Sequence, residues 1–285
     1  MAQTVKIISD STCDLSKDLL EKYDISILPL HILLGETEYR DGVDITPEEI
    51  FRWSDENKTT PKTSAPSMTE AMEVMKPFLD EGREIICFSI SDSMSTSGNV
   101  MRLAAEELEA SDRVTVINSA NLSTGIGLQV IHAALLSAEG KNRAQITAAI
   151  EEIRPRVRAS FTVDTLTYLY RGGRCNAVAA LAGTMLKLHP RIVVEDGAMD
   201  ASKKYRGKLS SVILSYTKDM EDDLKNAVPD RVFITHSGCD REIVESVRSY
   251  LESLGIFNEI LETRAGGVIS SHCGPGTLGV LFIEK

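Results

Sequence analysis

The sequence predicts an α/β fold of two α/β domains, the first with a mainly parallel sheet and the second with a mixed sheet that includes a hairpin. Three observations predict it. Short apolar, β-branched runs alternate with helix-length runs through the first half, the pattern of βαβ units. Runs such as Ile85-Ile86-Cys87-Phe88 are apolar at successive positions, as a strand covered on both faces requires. In the second half, Arg191 to Glu195 and Ala198 to Ser202 flank Asp196-Gly197, a strong two-residue hairpin signal.

Taken in order, Lys6 to Ser9 reads as a strand, and Asp14 as the cap of a helix through about Tyr23. Ile25 to Leu34 reads as a second strand. Thr46-Pro47-Glu48-Glu49 starts a helix, with Thr46 as N-cap, Pro47 at the first position and Glu49 closing a capping box. Ser67 to Glu70 repeats the box and opens a helix to about Asp80. Strands follow at Glu84 to Ile90 and Val114 to Asn118, and helices at Ser95 to Glu109 and Leu122 to Ala138. Asn142 caps a further helix that Pro155 ends or bends. Composition shifts near residue 158, so we place the domains at 1–158 and 159–285. The second half reads as strand Ala159 to Val163, a small-residue helix Ala177 to Leu188, the hairpin, and helix Lys208 to Lys225. Strand Val232 to Thr235, helix Arg241 to Leu254, strand Glu259 to Thr263 and strand Val280 to Glu284 complete it.

The totals exclude several classes of function. The chain of 285 residues is 42% hydrophobic and 26% charged, a globular composition. A net charge of −11 argues against a broad nucleic-acid or anionic-membrane surface. The five cysteines are scattered, with no CxxC pair, which reads as free thiols in a reducing, cytoplasmic compartment. No apolar run is long enough for stable membrane insertion. There is no Walker-type loop, and no metal or cofactor motif.

What remains are three polar loops: Thr63 to Ser67, Ser95 to Gly98, and Ser271 to Gly276. They offer hydroxyls, one imidazole and glycine-exposed backbone N–H groups, a set suited to holding a small anion. Six of the seven residues from Ser91 to Ser97 carry a hydroxyl or a carboxyl, more than one helix cap needs. Thr63 and Ser64 are left over once Ser67 has capped its helix. His272 stands between a strand-like segment and Gly274-Pro275-Gly276, where backbone can approach a ligand closely. Arg171 and Arg174, around Gly172-Gly173, form a second anion-suited loop. Cys273 adjoins His272, but no third group orients the two as a nucleophile pair, and no catalytic set is expected.

With these residues stated, the chain resembles the DegV family over nearly its full length. The resemblance rests on Ile8-Ser9-Asp10-Ser11-Thr12-Cys13-Asp14, Leu28-Pro29-Leu30, Tyr39-Arg40-Asp41, Thr63-Ser64-Ala65-Pro66-Ser67, Leu169-Tyr170-Arg171-Gly172-Gly173-Arg174 and His272-Cys273-Gly274-Pro275-Gly276, in order. It implies a binding protein that holds one long-chain fatty acid in the second domain, its carboxylate at the domain interface. A separate fatty acid kinase subunit would then phosphorylate that carboxylate. It also implies Thr63, Ser95 and His272 as carboxylate ligands; Ser64 and Gly274 are further ligand-binding candidates from the loop reading above. The family commonly has Ser-Gly-Thr and an aromatic residue where this chain has Ser95-Thr96-Ser97-Gly98, so Thr96 and Ser97 are alternatives to Ser95. Arg206, in Lys203-Lys204-Tyr205-Arg206, a charged run that reads as a turn just past the hairpin, corresponds to an exposed arginine that docks the kinase subunit. Ala177 to Leu188, Phe161, Leu166, Leu169, Val268 and Ile269 are candidate tunnel walls, each equally suited to ordinary core. The rival readings are a free-standing small-molecule phosphotransferase using His272, and a lipid store or sensor without a kinase partner.

Overall fold

The computed structural model describes residues 5–175 and 188–285. The first half runs β1 (Val5–Asp10), α1 (Lys17–Lys22), β2 (Ile25–Leu28), β3 (His31–Leu34), β4 (Thr37–Arg40), α2 (Pro47–Asn57), β5 (Lys62–Ser64), α3 (Met68–Asp80), β6 (Glu84–Ser89), α4 (Ser97–Glu107), β7 (Val114–Asn118), α5 (Thr124–Ala138) and α6 (Arg143–Ile153). The second runs β8 (Val157–Thr162), α7 (Thr167–Gly172), β9 (Leu188–Glu195), β10 (Ala198–Arg206), α8 (Leu209–Lys218), α9 (Glu221–Lys225), β11 (Ala227–His236), α10 (Arg241–Leu254), β12 (Glu259–Arg264), α11 (Gly267–Cys273) and β13 (Leu278–Glu284).

Two sheets carry the architecture, as the strand pattern predicts. The first has the order β2-β1-β6-β7 and is parallel throughout. Every residue of β1 is buried, because helices cover both of its faces. The second sheet, β10-β9-β8-β13-β11-β12, is antiparallel except for the β11–β12 pair. Asp196 and Gly197 both have positive φ, 49° and 79°, as the two-residue β9–β10 turn requires. Helix α5 packs between the sheets, and eleven of its fifteen residues are buried. One apolar cluster therefore runs from Val5, Ile86 and Phe88 through Ile126 and Ile131 to Phe161, Ile192 and Leu281. Burying such a side chain contributes about 1.5–3 kcal/mol.

The capping boxes at Thr46/Glu49 and Ser67/Glu70 are both formed, and Asn142 caps α6 in a third with Gln145. Five expectations are corrected. Asp14 does not cap α1; Ser16 does, while Asp14 adopts a left-handed conformation and turns its carboxylate into the interior. Ile25 to Leu34 is not one strand, because Pro29 has no N–H to continue the ladder. The chain instead leaves the parallel sheet there and forms β3 in a small antiparallel sheet, β4-β3-β5. The stretch from Lys208 to Lys225 breaks at Asp219-Met220 into α8 and α9. His272 lies in the last turn of α11, not in a loop. Arg206 is the last residue of β10, paired with Leu188, and not part of a turn beyond the hairpin. The helix expected over Ala177 to Leu188 falls at 177–187 outside the described residues; Leu188 itself begins β9.

Candidate functional site

The carboxyl ends of parallel strands are where α/β sheets collect ligands, and β1 and β6 end here beside a cleft of about 510 Å³. Its polar side is Thr63, Ser64, Asp92, Ser93, Ser95, Thr96, Arg174 and His272; its apolar side includes Leu30, Ile90, Met94, Leu122, Met199 and Ile269. Thr63 arrives on the short strand β5, and His272 on α11, 209 residues later. Thr63 Oγ1 and His272 Nε2 are 2.8 Å apart.

His272 is fixed from behind. A Cβ on Gly172 would stand 2.4 Å from His272 Nδ1, so the imidazole packs onto backbone that only glycine leaves open. That buried Nδ1 has no hydrogen-bond partner. Burial, and secondarily the Arg174 guanidinium, push the imidazole down to about 4. The ring is therefore neutral at pH 7. With the proton on Nε2, His272 donates to Thr63 and leaves the threonine hydroxyl free to donate into the cleft.

The α11 helix that carries His272 is held at its other end by two aspartates from the first half. Gly266 N–H donates to Asp14 Oδ1 at 2.8 Å, and Gly267 N–H to Asp41 Oδ1 at 2.7 Å. Ser123 and Ser11 hydroxyls complete these carboxylates at 2.5 and 2.8 Å. Burial raises both acids, Asp14 well above the usual carboxylate range and Asp41 to about 6.

Two expected site residues do not face the cleft. Ser97 is buried and donates its hydroxyl to Asp10 Oδ2 at 2.7 Å. Gly274 packs against Tyr168, and its carbonyl accepts from the Ser237 hydroxyl. Of the anion-suited arginines, Arg174 reaches the cleft, while Arg171 donates to the Lys58 carbonyl at 3.5 Å. Val268 and Ile269 line the cleft, and Ile269 also belongs to the core cluster that holds Leu166 and Leu169. Phe161 lines a small adjoining cavity of about 20 Å³ that shares Leu122, Ile269 and Cys273 with the cleft.

The model of the family described as "Uncharacterised protein, DegV family" matches residues 4–285. The chain belongs to the DegV family. A DegV domain-containing protein of Clostridium perfringens is 32% identical over 281 residues, 99% of each chain. A DegV family protein from Thermus thermophilus, described as fatty-acid-binding, superposes with a TM-score of 0.91 at 31% identity, covering 99% of this chain and 100% of that one. A stearic-acid-binding protein from Eubacterium ventriosum gives a TM-score of 0.85 at 32% identity, covering 99% and 98%. Within this DegV chain no helix of the described residues is long and apolar enough to cross a membrane. Among the same residues no cluster of three or more His, Cys, Asp or Glu is placed to hold a metal ion.

Local reading missed Asp14 and Asp41 as supports of the helix that carries His272. Each looks like a turn or cap residue in sequence.

Proposed function

We propose that this protein binds one long-chain fatty acid, its tail in the second domain (159–285) and its carboxylate at the edge of the first (1–158). The Thr63–His272 contact carries the reading: a neutral hydroxyl–imidazole pair, joined across the chain, opens onto a cleft with an apolar wall. Neutral donors hold one carboxylate oxygen and leave the other reachable. Affinity comes from the tail, since burying ~15 methylenes contributes on the order of 12 kcal/mol before ordering costs. The fatty-acid-binding relatives at 31% and 32% identity support the same ligand class.

Organic extracts of the purified protein should contain about one acyl chain per polypeptide by mass spectrometry. Stripping that lipid should lower Tm by roughly 5–10 °C, the shift that goes with losing a ligand held at about a hundred times its Kd. Extracts without an acyl chain, together with no thermal shift on adding palmitate, would remove this reading.

We further propose that a separate cytoplasmic kinase subunit phosphorylates the presented carboxylate and docks at Arg206. Arg206 is exposed and has no ion-pair partner among the described residues, whereas nearby Lys203 is paired with Asp219 at 2.6 Å. It ends a nine-residue strand whose other end adjoins Gly197, which touches the cleft loop through Ser91 at 2.7 Å. At about 3.3 Å per residue Arg206 stands roughly 30 Å from that contact, out of reach of the lipid carboxylate. Arg206→Ala should leave fatty-acid affinity unchanged and slow acyl-phosphate formation, most at low salt, because exposed charges act mainly on association. Equal rates for both proteins at limiting carrier concentration would exclude the docking role.

A further inference from the structure

Asp10 ends β1 and is fully buried. Its carboxylate accepts four hydrogen bonds. Oδ1 takes the Thr12 N–H at 3.1 Å and the Thr12 hydroxyl at 2.5 Å. Oδ2 takes the Ile90 N–H at 2.9 Å and the Ser97 hydroxyl at 2.7 Å. The last two donors bracket the loop in which Ser95 lies. Within it the Ser97 N–H donates to Ser95 Oγ at 3.2 Å. That bond occupies a lone pair of Ser95, so its hydroxyl hydrogen is free for the cleft that Ser95 lines.

We infer that Asp10 is a positioning residue for ligand-carboxylate recognition. Through Ile90 and Ser97 it fixes the loop so that Ser95 enters the cleft as a hydrogen-bond donor, the role a carboxylate ligand requires. This rests on the fatty-acid reading above. The role needs a carboxylate. An asparagine has one acceptor oxygen and would set its amide N–H groups against either the Thr12 donors or the Ile90 and Ser97 donors. A purely local role, closing the turn after β1 through Thr12, needs neither Ile90 nor Ser97.

The test compares palmitate with hexadecanol on the full-length, delipidated protein. The two chains have equal length, so tail burial cancels and the ratio of their affinities reports the head group. Ser95→Ala should lower the acid-to-alcohol ratio roughly threefold to tenfold, as loss of one hydrogen bond does. Ser97→Ala and Asp10→Asn should lower it in the same direction with hexadecanol affinity unchanged. The Ser95→Ala/Ser97→Ala double variant should fall no further than Ser95→Ala alone, because Ser97 acts through Ser95. Unchanged ratios in Ser97→Ala and Asp10→Asn, or losses that multiply in the double variant, would overturn the inference. If Asp10→Asn does not fold, the Ser97→Ala arms decide it. A wild-type protein that binds neither lipid overturns the fatty-acid reading and this inference with it. One that binds both, with unaltered ratios in the variants, overturns only the role of Asp10.

Discussion

Gly274→Ala should lower stability by about 3 kcal/mol or more, and Tm by roughly 6–12 °C. Gly274 has φ 77° and ψ 172°, a region that side-chain-bearing residues avoid. An added Cβ would also stand 2.5 Å from Tyr168 Cδ2 and 2.9 Å from Tyr168 Cγ. The ring cannot retreat freely, because its edge packs on Phe51 with centroids 6.1 Å apart and planes at 85°. Tyr168 belongs to α7, whose last residue, Gly172, backs the His272 ring. The strain should therefore reach the site as well, weakening palmitate binding along with stability. Denaturant unfolding of the delipidated protein measures the first effect and calorimetric titration the second. A variant within 1 kcal/mol of wild type would contradict this placement of Gly274.

The second large effect is a pH dependence. His272 titrates at about 4 in the folded chain, against 6.5 when exposed to water. The unfolded chain therefore takes up a proton below pH 6.5 that the folded chain refuses until about pH 4. Stability from the neutral imidazole is complete above pH 6.5 and is lost as pH falls through that window, by up to about 3 kcal/mol. Asp41, raised to about 6, acts in the opposite sense: it gains a proton on folding over much of the same range. Asp14, also raised by burial, acts in the same sense as Asp41, so the total stability curve blends opposed contributions. Comparing wild type with His272→Phe separates them, since Asp14 and Asp41 are common to both. The variant should gain on wild type by up to about 3 kcal/mol between pH 7 and pH 4, read from urea midpoints of the lipid-free proteins. A difference independent of pH would mean that the imidazole is not held neutral by burial.

Legibility in the sequence followed the range of each interaction. The capping boxes at Thr46 and Ser67 and the Asp196-Gly197 turn need only neighbours three or fewer residues apart, so local pattern predicted them. The parallel sheet was legible because a strand covered on both faces carries successive apolar residues, as Ile85 to Phe88 of β6 do. The small sheet β4-β3-β5 was not, because Thr37 to Arg40 and Lys62 to Ser64 are short, polar and half exposed. His272 reads as a loop residue in sequence because it stands between a strand-like segment and Gly274-Pro275-Gly276. It lies in a helix because buried carboxylates, from residues 14 and 41, accept the first N–H groups of α11.

By itself the sequence determined the class of fold, the order and approximate bounds of most elements, and the absence of the common phosphate-loop and metal motifs. Motif resemblance put forward Thr63, Ser95 and His272 as a set. Only the tertiary structure decided which hydroxyls are available. Ser95 and Ser97 are two positions apart and chemically identical, yet one lines the cleft and the other is consumed by Asp10, 87 residues away. Gly274 likewise looks like a ligand-side glycine and is a packing position. The physical reason is that a polar side chain satisfies its hydrogen bonds with whatever the fold brings within about 3 Å. In this chain those partners come from strands and helices that local sequence does not connect.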